Sequence, residues 1–400
     1  MEFFRDANYD FMGWRWVWLT ISGVAMVASV VALFALGQLN IGIDFAGGTQ
    51  LTVRFAERPD IDRLRASLEE DGLAAAQIQR FGPESANEVL IKTPILGESV
   101  VEDQRRVVGA LERVYGSGGS GANLNEISSE RLALLLRELD PDGRVAGDPE
   151  AAADHYATVA EAVIDERGER GVLASWEELA AVEGLSGAAR AAIEGRVHLG
   201  AFAVIGTESV GPQVGSELRT KGLLAVLFSI AGMLAYIWVR FELRFGVAAV
   251  VAIVHDVTVT LGLYAIAGYE FNLTTIAAFL TVVGYSVNDT VVIFDRVREN
   301  LRRSRRDGLF TVLNRSINQT LSRTVLTGGS VLLVLLSLYF FGGAVIQGFA
   351  FVLLVGLVVG TYSTICVASP VVMLWERWVG GRAHRESAAA VEPAGQRAAR

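Results

Sequence analysis

Cysteine is nearly absent: the 400 residues contain one, Cys366. With a single thiol no intrachain disulfide can form, so any domain outside the cell must fold on its core alone. Charge is scarce too, 20% of residues against 52% hydrophobic, and the mean hydropathy is +0.39. That balance points away from a soluble globular chain and toward a membrane protein. No P-loop pattern occurs, no Cys/His spacing that suits a metal, and no Ser-His-Asp arrangement. The paired glycines at Gly47 and Gly48, Gly328 and Gly329, and Gly342 and Gly343 match no phosphate-binding pattern. Nucleotide hydrolysis therefore has no site, neither metal nor organic cofactor is expected, and energy for any work must come from an ion gradient or a partner.

What is present in abundance is long apolar runs. A span needs roughly 20 predominantly apolar residues to cross about 30 Å of hydrocarbon. Six stretches qualify, at 17–37, 222–239, 245–268, 273–294, 321–341 and 346–374. The first is longer than a signal-peptide core and no clean small-x-small cleavage site follows it, so it is read as a span that is kept. Arg240 and Arg244 follow the second span, and Arg296, Arg298, Arg302, Arg303, Arg305 and Arg306 crowd the 295–320 loop after the fourth. Arg377 and Arg382 follow the sixth, whereas the links after spans three and five carry no Lys or Arg. By the positive-inside rule both termini, 1–16 and 375–400, are expected in the cytoplasm, the tail without fixed structure, and the long 38–221 segment outside. A basic cluster beside a span fixes topology, so surrounding lipid is expected as a partner and nucleic acid is not.

The 38–221 segment reads as a ferredoxin-like α/β domain. Thr49 to Phe55 alternates as a strand, Asp60 to Glu70 has helical spacing, and Ala76 to Phe81 and Glu88 to Thr93 read as strands. Val101 to Tyr115 is an amphipathic helix, and Ala201 to Glu208 supplies a last strand, completing a β-α-β-β-α-β order. A Gly/Ser-rich stretch, Gly116 to Gly121, opens an acidic, alanine-rich insertion over about 116–196, expected as a separate helical lobe.

The candidate site lies inside the membrane. Asn288 and Asp289 interrupt the fourth span, about six residues before Asp295 and so roughly 9 Å from the cytoplasmic boundary. A charged side chain at a span centre costs about 2.5–3.5 kcal/mol and usually faces a bundle interior or a water cavity. Tyr285 shares a helical face with Asp289, and Gly284 would let a neighbouring helix come close. Arg323 begins the next, antiparallel span at similar depth and is the expected ion-pair partner. Such a pair could be proton-linked or could simply fix helix packing. In the third span His255 and Asp256 pose the same choice: a proton relay, or a packed pair in which Asp256 accepts from a serine or threonine of the next helix. Gly356 and Gly360 make a G-x-x-x-G packing face in the sixth span.

The motifs IGIDFAGGTQLTVRF from Ile41, VGPQVGSEL from Val210, HDV from His255, VVGYSVNDTVVIFDRVREN from Val282 and INQTLSRT from Ile317 together resemble the SecF family. These are membrane subunits of the SecD–SecF accessory translocase, within the RND superfamily. The resemblance implies a six-helix, RND-type half bundle with an extracytoplasmic α/β domain in the bacterial inner membrane. It also implies work beside the SecYEG channel on unfolded preprotein, with SecD as partner and with YajC and SecA as further ones. No enzymatic step is implied, and the coupling ion is the proton. By motif match Asp289 and Arg323 are the proton-coupling residues, with Asn288 beside them. Asp44, Gly47 and Gly48 match the motif at the junction of membrane and outer domain. The insertion over 116–196 departs from the family's compact domain, and six spans are half of the family's twelve-span unit. An RND-like exporter of small molecules and a passive translocon scaffold are the competing classes.

Overall fold

The computed structural model describes residues 7–35, 39–82, 84–94, 100–116, 121–304 and 306–378. Most of the Gly/Ser stretch, Arg305 of the basic cluster and the tail beyond residue 378 lie outside the described residues. The chain forms two compact units, Ile43–Leu218 and the remainder, Met1–Gly42 with Arg219–Arg400.

Helix α1 spans Arg15–Ala35. The α/β unit then opens with a short helix, α2 (Ile43–Ala46), and continues β1 (Gly48–Phe55), α3 (Ile61–Glu70), β2 (Gln77–Phe81), β3 (Glu88–Thr93) and α4 (Val100–Tyr115). The insertion contributes β4 (Ala122–Asn123), α5 (Ser129–Leu139), α6 (Pro149–Arg170), a 3-10 turn at Trp176–Ala181, α7 (Gly187–Glu194) and β5 (Val197–His198), before β6 (Phe202–Val210) returns to the sheet. The sheet order is β2-β3-β1-β6 with every neighbour antiparallel, which is the ferredoxin-like plan.

Alternation in β1 buries Leu51, Val53 and Phe55 on one face. There they meet Leu64 and Leu68 of α3 and Val107 and Leu111 of α4. Asp60 starts α3 by accepting from the Asp62 and Arg63 amides, which satisfies donors that a helix start otherwise leaves orphaned. A register shift between Thr52 and Val53 bends the β1–β6 pairing.

The insertion has a core of its own, around Leu132, Leu136, Tyr156, Val163, Leu179 and Ile193. Its neck is the two-residue parallel pair of β4 and β5, so the lobe begins at Ala122 and closes at His198. Within the lobe the 3-10 turn and α7 are separated by a turn with Gly184 at φ +82.

Five further long helices complete the membrane unit: α8 (Pro212–Arg240), α9 (Leu243–Ala267), α10 (Leu273–Arg303), α11 (Leu309–Phe341) and α12 (Gly343–Ser363). After a π-helical turn at Thr364–Ala368 the sixth helix runs on to Trp378. Six helices among the described residues are long and apolar enough to cross a membrane. Several outrun their apolar stretches. Helix α8 starts ten residues earlier than the 222–239 run, α10 continues to Arg303, and α11 begins at Leu309 rather than 321. Hydropathy registers only the part that suits hydrocarbon, whereas backbone hydrogen bonding carries the helix into its polar flanks.

Candidate functional site

Helix α10 carries the site. It is started by a capping box in which the Asn272 side chain accepts from the Thr275 amide and Thr275 reaches back to the Asn272 amide. Along one side, small residues bring α10 close to α12. A Cβ placed on Gly356 would sit 2.3 Å from a Val282 methyl carbon, and one on Gly360 would sit 3.1 Å from the Ser286 Cβ. The G-x-x-x-G face therefore packs against α10, where a larger residue at Gly356 would require Val282 to shift and one at Gly360 would be tight.

Two polar rungs continue the same seam. Ser286 Oγ donates to Asp256 Oδ2 at 2.5 Å, and Ser363 Oγ donates to the same oxygen at 2.8 Å. One turn further along α10, Thr290 Oγ1 lies 3.0 Å from Thr364 Oγ1. Asp256 is fully buried on α9. Its second oxygen lies 2.9 Å from His255 Nδ1. His255 Nε2 is buried and makes no hydrogen bond. Asp256 thus accepts from a serine on the next helix while keeping its contact with His255.

Asp289 lies between these rungs along α10, 5% exposed, with Oδ2 buried and without a hydrogen-bond partner. Arg323 is the charged group whose field reaches it, yet no hydrogen bond or ion pair joins the two. The expected ion pair is thus not closed in this structure. Arg323 is exposed while Leu321 and Thr324 on either side of it are buried, so the packed face of α11 at this depth belongs to its neighbours. Asn288 is also exposed, in line with Thr281 and Gly284 at helical spacing. Tyr285 is half-buried, its hydroxyl directed toward Gly328 of α11 and without a hydrogen bond.

Asp44, Gly47 and Gly48 are not part of this constellation. They belong to the α/β unit, Asp44 within α2 and the glycines at the turn into β1. Gly47 has φ +71 and Gly48 φ +142. A Cβ on Gly48 would lie 2.5 Å from the Thr93 carbonyl oxygen, and Gly47 abuts Pro212 and Gly215 in the first turn of α8.

Sequence reading passed over Ser286, Thr290 and the role of Ser363 and Thr364. Their signal was available: hydroxyl residues four apart in an apolar helix fall on one face, and hydroxyls facing a bundle interior seek partners.

Residues 194–378 match the family described as Protein export membrane protein SecD/SecF, C-terminal, and residues 33–57 match the SecD/SecF GG Motif. The chain is 40% identical to protein translocase subunit SecF of Koribacter versatilis, over 98% of this chain and 97% of that one. It is 37% identical to the protein translocase subunit SecF of Desulfurispirillum indicum over 88% of each chain. Among solved structures it is similar to SecDF, a translocon-associated membrane protein from Thermus thermophilus, with a TM-score of 0.63 and 31% identity, covering 93% of this chain. A SecDF structure in a super-membrane-facing form gives a TM-score of 0.54 at 30% identity over 96% of this chain. The chain spans only 39% and 41% of those two SecDF polypeptides. With a relative this similar along nearly its whole length, the chain belongs to the SecF family of protein translocase subunits.

Proposed function

We propose that this chain is one half of a proton-driven export device, in which Asp289 takes up and releases the coupling proton. The observation that carries this reading is the buried Asp289 carboxylate with an oxygen that no side chain satisfies. A structural ion pair would close on its cation. Here the carboxylate is held within the field of Arg323 but apart from it, the arrangement suited to a group that changes charge during work.

The site reads as incomplete in this chain alone. Asn288 on α10 and Arg323 on α11 present polar groups on a surface that would otherwise meet lipid. Hydrocarbon cannot satisfy them, whereas helices of a membrane partner can. The SecDF chains that resemble this one are more than twice the length matched, which supports SecD as the partner that covers this face. Protons falling through about 100 mV release roughly 2.3 kcal/mol each, enough to shift a two-state equilibrium about fiftyfold. Protonation of Asp289 would remove its attraction for Arg323 and free both helices to change partners.

The arginine distribution supports an inner-membrane chain with cytoplasmic termini and the α/β unit outside, where it would meet unfolded preprotein leaving SecYEG. SecA and YajC are proposed companions on the same channel. The role is mechanical coupling rather than catalysis.

The test is gradient-dependent release of a translocating preprotein, in membranes that lack native SecF and carry this chain with its SecD. Asp289→Asn at matched expression is expected to lose the gradient-dependent part and keep the rest. Unchanged release would reduce the chain to a scaffold.

A further inference from the structure

Glycine surfaces choose which faces of two helices meet but not the fine rotation within that contact. The contacts of Gly356 with Val282 and of Gly360 with Ser286 allow close approach of α12 to α10, but they are apolar and nearly smooth. A rotation well short of the roughly 100° per residue of an α-helix would leave such a face in contact and still carry Asp289 off its station. Something directional has to select one rotation.

Asp256 is the directional element. Its carboxylate gathers three hydrogen-bond partners from three helices: His255 on its own helix and the donating hydroxyls of Ser286 on α10 and Ser363 on α12. All four groups are at most 2% exposed. Turning α10 or α12 by one residue removes a hydroxyl from a buried carboxylate, and an unsatisfied buried charge is strongly penalised. The Thr290 to Thr364 contact then repeats the register one turn on, and the π turn begins at Thr364 itself. π turns accommodate an extra residue and are frequent at functional sites. Ser286 and Thr290 flank Asp289 along α10.

We infer that Asp256 is a positioning residue for the proton site: it locks Ser286 of α10 to Ser363 of α12 and so fixes the rotation at which α10 presents Asp289. The inference rests on the proton-coupled reading of Asp289. A buried charge serving register rather than net stability is a role with precedent in helical assemblies. The ionisable group in contact with Asp256 is His255 on α9, whose ring lies 6.3 Å from that of Tyr362 on α12; Tyr285 and Asp289 lie beside Ser286 and along α10, and Cys366 in the π turn.

The experiment reads gradient-dependent preprotein release across a range of external pH, for the full chain reconstituted with its SecD and the channel. The variants are Asp256→Ala, Asp256→Asn, Ser286→Thr, the double variant Ser286→Ala with Ser363→Ala, and Asp289→Asn as reference. Asparagine keeps an acceptor oxygen for both serines, and its amide can donate to His255 in the tautomer that leaves Nδ1 unprotonated. A positioning role therefore predicts Asp256→Asn and Ser286→Thr within about twofold of wild type, while Asp256→Ala and the double variant fall about tenfold. It also predicts that the double variant moves the midpoint of the pH profile. The double variant removes only two hydroxyls, so it carries the test if Asp256→Ala fails to accumulate.

Loss of release in Asp289→Asn together with wild-type rates and pH profiles in Asp256→Ala and the double variant would overturn the positioning role and leave the proton role standing. Asp256→Asn as inactive as Asp289→Asn, with the double variant unaffected, would overturn it in favour of a proton relay through Asp256. No effect of Asp289→Asn would remove both readings.

Discussion

A single backbone conformation separates the two glycines of the outer motif. Gly47, at φ +71, sits where asparagine is tolerated, whereas Gly48, at φ +142, occupies a region almost closed to other residues. The added methyl of Gly48→Ala would also strike the Thr93 carbonyl, a backbone atom that cannot move aside. Gly48→Ala is expected to lower stability by about 1–3 kcal/mol, measured as a drop in the melting temperature of the purified full chain, and Gly47→Asn by clearly less. The glycine pair was legible in the sequence; the division of labour was not, because φ is imposed by where β1 must pair with β3. The same limit applies to Arg323. Its depth follows from counting residues, but its exposure depends on which neighbours in α11 take the packed face.

The six long helices were readable from hydropathy because lipid demands continuous apolar runs and an internally satisfied backbone. Their polar ends were not, since nothing in local composition marks where a helix leaving the bilayer stops. Packing between the helices is where specificity enters. At the α10–α12 seam, Gly356→Val is expected to overpack Val282 and cost about 1–3 kcal/mol, read by thermal unfolding in detergent. Adding Val282→Ala should recover part of that loss, a coupling that marks direct contact. Gly284→Val on the same helix is the control: its own helix backbone aside, none of the described residues lies within 4 Å of its Cβ position, so unfolding of the single chain should be little changed. If SecD covers that face, the control variant should instead weaken co-purification with SecD.

In the α/β unit one carboxylate joins the inserted lobe to the sheet. Glu126, just after the neck strand β4, accepts from the Val204 amide of β6 at 3.3 Å. Burial pushes its carboxyl from the usual 4.5 to about 7, with the Glu112 charge adding and the Arg167 guanidinium opposing. The folded chain therefore holds a proton that the unfolded chain has already released between about pH 4.5 and 7, so stability falls as pH rises through that window and levels off above it. Glu126→Gln is expected to flatten this dependence and to raise the melting temperature above pH 7; a wild-type curve with no slope in the window would refute the link. A second attachment runs from Arg54 of β1, paired with Glu88, to the Arg170 carbonyl of the lobe. The insertion and its helical character were visible from its Gly/Ser entry and acidic, alanine-rich composition. Its attachment was not, because residues some 80 or 120 positions apart meet there and no local pattern encodes the meeting. By itself the sequence determined the six spans, the β-α-β-β-α-β order and the placing of Asp256 and Asp289 in apolar helices, all of which follow from period, run length and the cost of charge in hydrocarbon. Only the tertiary structure decided that Asp256 is satisfied by hydroxyls from two other helices while Asp289 is not, because that difference arises from the rotation at which helices pack, a property no single segment carries.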